Sequence, residues 1–597
     1  AGDPTLAAPP FNKVQSGKPD AIASVSVDGL LRGRNLSVTA RSEAVSGWDF
    51  DANGDIVDPV LGTGATLLGL AGTVTLGYLD ATSHASVDIG AQAALRASED
   101  ITLKAEAIDK VETSASNLGS GGPVNKYAGL ASVYGAMDSE ASVAIAGGAS
   151  VRAGDALAIQ ARTDNTMDIS AKSITTGEQP FVATIAWSDI DVDSSATVAA
   201  GADIAGNAIE ISAANKNSFS TAATAMSNPN GKVGVAGAVS LQDVNATATN
   251  AASMSGIGSL LIDADTTTSK NATTASVGVA SQGMAMKMYQ VAGDAMDAIG
   301  GKVTGAMRDT SGQIGDQKPA SHASDSPFRL GGALAYTDAQ HDATAELSDA
   351  TSITATGNVT VHAGVIDGAI RSHANSAVDS DTQQKNEDGS MSNVSMSAGV
   401  NWANYRHNAS ARVGTGAAID AARIAVGSET RVPVNITWTD FSSLDQILGK
   451  LNSTLGVADE VLTSYTSAKS KAGDLAIGGA VNYHQVTNNS SAWIDGDARL
   501  TARATGDDAW STALASGRTV NWAQSVDVAA INEVRAVHVA GSIGLPIPVV
   551  AVESGQDGAA VGGAFTDTIY SGKTVAGIAA GANVATAGGL SVRAESP

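Results

Sequence analysis

The densest run of metal-ligand side chains in this chain is Asp49-Phe50-Asp51-Ala52-Asn53-Gly54-Asp55-Ile56-Val57-Asp58. Oxygen side chains at loop positions one, three and five, glycine at six for the sharp turn and an apolar residue at eight match the opening of a calcium loop. Position twelve, where a bidentate glutamate closes an EF-hand, is Val60, and no flanking helices are evident. The segment reads either as a plain acidic turn or as a weaker, non-EF-hand calcium site using Asp49, Asp51, Asn53, Asp55 and Asp58. Calcium is the only cofactor the residues suggest.

Three other groupings invite chemistry. Asp189, Asp191 and Asp193 alternate along one face of an expected strand, as the acids of a polysaccharide lyase would, but no Arg or Lys cluster stands near to abstract a proton, so they read as solvated edge carboxylates. Trp187, Tyr336, Trp402 and Tyr483 each precede the reference apolar residue of a recurring phrase (Val198, Leu347, Val413, Ile494) by 11 positions, which makes a column in register. Exposed, such a column would stack sugar rings; parity shared with Ile185, Leu334, Val400 and Val481 places it on the apolar side, in the core. The 8 histidines, among them His84, His341, His407 and His484, lack a second ligand at metal-binding spacing and read as exposed turn residues. No nucleophile elbow, phosphate loop or zinc pattern occurs.

The elements that must carry these residues repeat. Ala85-Ser86-Val87-Asp88-Ile89 leads to Ile101-Thr102-Leu103-Lys104-Ala105, Ala141-Ser142-Val143-Ala144-Ile145 to Leu157-Ala158-Ile159-Gln160-Ala161, and Ala196-Thr197-Val198 to Ile209-Glu210-Ile211-Ser212-Ala213. Taking Val87, Val143 and Val198 as equivalent gives periods of 56 and 55 residues. Copies run from Ala23-Ser24-Val25 to Leu590-Ser591-Val592, about nine in all, so residues 1–597 read as one continuous array. A unit of this kind cannot bury its apolar face alone and must stack on its neighbours. The pattern is already running at both ends, which suggests a segment of a longer protein.

Composition agrees with thin, closely stacked coils. The chain has 65 Gly, no Cys, 4% aromatics and 16% charged residues. Its formal charge of −25, from 35 basic against 60 acidic residues, disfavours nucleic acid as a partner. Without cysteine, stability must come from hydrogen-bonded ladders rather than disulfides. No uninterrupted apolar run of about eighteen residues appears, so no membrane insertion is expected.

Within each unit apolar residues alternate (Val25/Val27, Ile101/Leu103, Ile209/Ile211, Val359/Val361), the period of a half-buried strand. With Gly, Asn and Asp turns between strands of about five residues, the expected fold is all-β, an elongated parallel β-helix or β-solenoid. A period near 55 exceeds the roughly 20 to 30 residues of a narrow coil, so two coils per sequence unit are expected, the second from the Gly-rich runs Leu68–Gly72, Val235–Val239 and Ile477–Val481. Two segments have helical spacing instead and read as short helical insertions on the flank, at 283–307 (Met284, Met288, Val291, Ala295, Ile299) and 441–470 (Leu444, Ile447, Leu448, Leu451, Leu455).

The phrase Gly478-Gly479-Ala480-Val481-Asn482-Tyr483, echoed in Gly399-Val400-Asn401-Trp402, resembles the repeat region of very large bacterial filamentous adhesins, the leukotoxin-type and filamentous haemagglutinin-like exoproteins. The resemblance extends over nearly the whole chain as a style of repeat. It implies a right-handed β-helix, secreted or tethered at the bacterial cell surface, that contacts extracellular polysaccharide or other cell surfaces in cell-cell or biofilm-matrix attachment. It supplies no catalytic residues. The expected function is therefore a structural or adhesive shaft that is not an enzyme, with lateral self-association of shafts open; a β-helical polysaccharide-binding or polysaccharide-degrading enzyme is the alternative.

Overall fold

Alternation with period two, sustained for 20 residues in Phe328–Leu347, decides the architecture. The computed structural model describes residues 14–46, 48–50, 56–59, 67–69, 74–119, 129–175, 181–227, 232–279, 328–379, 394–432, 464–472, 474–506, 508–535, 538–540, 550–554 and 558–596. About four-fifths of these residues lie in strands, most of them in the parallel stacks of a β-solenoid, and no helix occurs among them.

Two long sheets face each other. The front sheet stacks Val74–Ile89, Gly129–Ile145, Phe181–Val198, Val233–Asn250, Phe328–Leu347, Val394–Val413, Leu475–Ile494 and Ala559–Ile578, each pairing in parallel with the next. The back sheet stacks Leu36–Ser46, Ile101–Gly119, Ala156–Thr175, Ala208–Ser227 and Ser259–Val279, then continues as shorter strands to Leu590–Glu595. Two narrow sheets of three- and four-residue strands, such as Ser150–Arg152 and Ser352–Ala355, turn the corner between them. One sequence unit makes one wide coil: Gly129–Ile145 in front, Ser150–Arg152 at the corner and Ala156–Thr175 behind.

This corrects the expectation of two narrow coils per unit. The Gly-rich run and the Ala-x-Val phrase are two halves of one strand, as Ile477–Val481 and Ala492–Ile494 show within Leu475–Ile494. The strands are three to four times longer than expected for the same reason. Register differs as well: Val143 stacks on Val87 but is followed by Ala196, while Val198 stacks on Ile145, so that step is 53 residues. The proposed insertion at 283–307 lies outside the described residues. Of 441–470, residues 441–463 also lie outside them, and 464–470 belong to the strand Ser464–Ala472, so a helix does not extend that far.

The core has two apolar columns. One joins Val87, Val143, Val198 and Val413 to Ile101, Leu157 and Ile209; the other joins Met137 and Ile190 to Val111, Met167 and Phe219. Between them runs a seam one residue wide in each sheet. In front it passes through Ser83, Ser139, Val192, Val244, His341, His407 and Asn488. Behind, it passes through Asp109, Asn165, Asn217, Thr268 and Asp367. Buried amides need partners, and part of the seam supplies them along its own length: Asn165 Nδ2 donates to Asn217 Oδ1 at 2.9 Å and Thr163 Oγ1 to Asn215 Oδ1 at 2.9 Å.

The corner after six of the eight front strands holds one residue in the left-handed region. Gly148, Gly201, Gly416 and Gly581 fill it with φ between 68° and 94°, but Ala350 (φ 55°) and Asp497 (φ 58°) occupy the same position without glycine's freedom.

Candidate functional site

The site is the outer surface of the front sheet. In the strand Phe181–Val198 the exposed positions are Phe181, Ile185, Trp187, Asp189, Asp191 and Asp193, which share one parity. The same strand position is held on successive coils by Tyr78, Tyr134, Trp187, Val239, Tyr336, Trp402 and Tyr483. This column is not core: Trp187 is 40% and Trp402 46% exposed. Ile185, Leu334 and Val481, two residues earlier, are exposed with it. The expectation of buried rings fails because apolar neighbours were taken as the marker of the inner face. The buried neighbours are the small alternate residues, Ala186, Ala335 and Ala403. Asp189 shares parity with Trp187 and was the available signal that this face meets water.

Parallel strands bring equivalent side chains within about 5 Å on successive rungs, so rings in one column stack. Tyr78 and Tyr134 have centroids 5.3 Å apart at 12°, and Trp402 and Tyr483 4.2 Å apart at 27°. Val239 interrupts the column between Trp187 and Tyr336.

Beside the rings runs a rail of carboxylates and amides. Tyr483 Oη donates to Gln485 Oε1 at 2.9 Å, Asn404 Nδ2 to Asp338 Oδ1 at 3.0 Å, Asn408 Nδ2 to Asp342 Oδ1 at 2.7 Å and Asn489 Nδ2 to Asn408 Oδ1 at 2.8 Å. Toward the first coils the rail is acidic, with Asp138, Asp191 and Asp243 in one column and Glu140 and Asp193 in the next. Partial burial, and then the charges of Asp193, Asp243, Asp138 and Asp189, push Asp191 up to about 6. Burial raises Asp193 too, and burial followed by Asp189 raises the Tyr134 phenol. Basic partners on this rail include Arg406, held by Asp338 at 3.0 Å, and Lys18, 3.1 Å from Asp80.

The suspected calcium ligands lie elsewhere. Asp49 and Asp58 are cross-strand partners in a two-stranded antiparallel ladder of Trp48–Phe50 and Ile56–Pro59. Asp51, Asn53 and Asp55 lie outside the described residues. The histidine reading is corrected: His341, His407 and His484 are buried in the core, and His84 is partly buried with Nε2 3.0 Å from Asp138.

Sequence reasoning missed a second feature, on the outer face of the back sheet. The hairpin of Trp510–Ala513 and Thr519–Trp522 lies over Asp263, Asp265, His362 and Glu429. Arg518 reaches down between Asp265 (2.9 Å) and Glu429 (2.5 Å), and His362 Nδ1 lies 2.9 Å from Asp263. Burial alone would lower His362, but its Nδ1 hydrogen bond to Asp263 and the Glu429 carboxylate 3.6 Å from its Nε2 hold it protonated, at about 9. Burial would likewise raise Glu429, yet His362 and Arg518 keep its carboxylate well below the usual range. Opposite charges are matched here, which is the arrangement of a clamp. A groove of about 350 Å³ beside the hairpin has Glu210 as its one titratable lining residue, hydrogen-bonded to Gln160. Paired carboxylates for glycoside hydrolysis are not found in that lining.

No family model, curated protein or solved structure matches the chain. No helix of the described residues is long and apolar enough to cross a membrane.

Proposed function

We propose that this chain is an adhesive shaft segment of a large secreted or surface-attached bacterial filamentous adhesin, and that the outer front face holds extracellular polysaccharide. The observation that carries the reading is the exposed ring column flanked by amides and carboxylates in register over seven coils. Sugars present an apolar face and a hydroxyl rim; an aromatic stripe beside hydrogen-bonding side chains offers a partner for each. Calcium at the Asp49 loop, with Asp51, Asn53, Asp55 and Asp58, belongs to this reading as an accessory.

The test is co-sedimentation of the full chain with insoluble and soluble polysaccharides, with calcium and with chelator, while new reducing ends are assayed. Binding without new ends, weakened about tenfold or more by Trp187→Ala with Trp402→Ala, supports the adhesive reading. New ends would establish the degrading enzyme instead. Binding unchanged in the double variant would remove the ring column from the reading.

A further inference from the structure

The polar seam inside the coil contains a cluster that the outer-face function leaves unused. His341 and His407 are cross-strand neighbours on successive front strands, and Asp367 ends the back strand Asn358–Asp367 across the interior. All three are at most 1% exposed. Asp367 Oδ2 lies 3.7 Å from His341 Nδ1 and 3.4 Å from His407 Nε2.

The surrounding hydrogen bonds decide where the imidazole protons are. A carboxylate only accepts, so Asn271, 3.0 Å from Asp367 Oδ2, must present Nδ2 to it. Asn271 Oδ1 then accepts from Gln242 Nε2 at 2.8 Å, which turns Gln242 Oε1 toward His341 Nε2 at 3.1 Å. His341 Nε2 is therefore the donor, and its Nδ1 carries a lone pair. That Nδ1 has no hydrogen-bond partner, and neither has Asp367 Oδ1. His407 Nδ1 lies 2.7 Å from Asn488 Oδ1, and its Nε2 hydrogen-bonds Asp367 Oδ2 at 3.4 Å, where the carboxylate accepts. The His341 Nδ1 lone pair and the Asp367 carboxylate thus face one another away from water, an arrangement that repels unless a cation sits between them; a bound ion would take the place of the His407 Nε2 proton.

We propose that His341 Nδ1, His407 Nε2 and Asp367 form a buried site for a zinc-class divalent transition ion. Tetrahedral bonds of about 2.0 to 2.1 Å place neighbouring donors roughly 3.3 to 3.4 Å apart, close to the two separations here. Imidazole, imidazole and carboxylate form a donor set suited to zinc, cobalt or nickel rather than calcium. Each histidine has its second nitrogen fixed by an amide oxygen, Gln242 or Asn488, which is how metal-bound histidines are oriented. The free Asp367 Oδ1 or a water supplies the fourth position. Because the ligands come from both sheets, the ion ties front to back across the seam, and binding is coupled to closure of the coil.

The test is titration of the full chain with Co²⁺ after chelator treatment and desalting. One equivalent per chain with the intense visible absorption of tetrahedral cobalt, displaced by Zn²⁺, is expected. His341→Gln and Asp367→Asn should each abolish that spectrum, Gln242→Leu should weaken binding by about 10- to 100-fold, and His484→Gln, a buried histidine outside the cluster, should leave it unchanged. A chain that retains its β circular dichroism but gives no tetrahedral spectrum overturns the site, as does a spectrum that survives in Asp367→Asn. The wild-type titration decides the matter even where a variant fails to fold.

Discussion

Asp109 sits in the seam with both carboxyl oxygens buried and unpartnered, so the charge state of one side chain should govern local stability there. Burial, and then the charge of Asp138, push it up to about 8 from an ordinary 3.8. The Ser139 hydroxyl pulls the other way without reaching hydrogen-bond geometry. The folded chain holds a proton that the unfolded chain releases. Stability from this group is therefore full below about pH 3.8 and falls as pH rises toward 8. At about 1.4 kcal/mol per unit, the three units from pH 4 to pH 7 amount to an upper bound of about 4 kcal/mol. Asp109→Asn keeps the shape and removes the titration. The variant should match the parent near pH 4 and exceed it by up to about 4 kcal/mol at pH 7. A repeat array opens locally, so the assay is hydrogen-exchange protection of Ile101–Gly119 at both pH values, with rates corrected for intrinsic exchange. Equal protection of parent and variant at pH 7, or a variant less protected than the parent, would refute the argument.

Ile101→Asp or Val143→Asp places a charge in a continuous apolar column and should cost more than about 4 kcal/mol locally, whereas Asp88→Asn on the exposed parity should be nearly silent in thermal melting. Ala350→Gly should relieve the left-handed corner and raise protection of Ser352–Ala355 by about 1 kcal/mol, the same change at Ala335 serving as a destabilising control. Arg518→Met leaves Asp265 buried without its cation, while Glu429 keeps Arg431 at 2.7 Å; a loss of about 3 to 5 kcal/mol should release the hairpin to protease at 508–525 while the front sheet stays intact.

The sequence made the stacking legible and hid the width of the coil. Ala-x-Val phrases mark where the first apolar column runs, and their alternation gives strand and face correctly at Ile101, Val143 and Asp88. Asn482, His484, Asn488 and Ser490, polar residues on the buried parity of Leu475–Ile494, break the apolar alternation midway, so one 20-residue strand reads as two short ones. The ring column was found by spacing but assigned inward, because large apolar residues outside a core run against the usual expectation. The His341, Asp367 and His407 cluster is invisible to local spacing: its members lie 26 and 40 residues apart and meet only through stacking and closure across the interior. Only the column register, in which His341 and His407 are equivalent, hinted at it.

One wide coil per unit has a consequence for how such a molecule occupies space. Each rung advances the stack by about 4.8 Å, while a front strand of twenty residues extends about 65 Å sideways. The eight steps from Asp20–Val27 to Ala559–Ile578 therefore rise only about 38 Å. Over this stretch the molecule has the proportions of a plank, broader across its face than it is tall. At 52 to 97 residues per rung, reach grows by less than about 0.1 Å per residue. What each coil adds is chiefly area, another strip of the same patterned face.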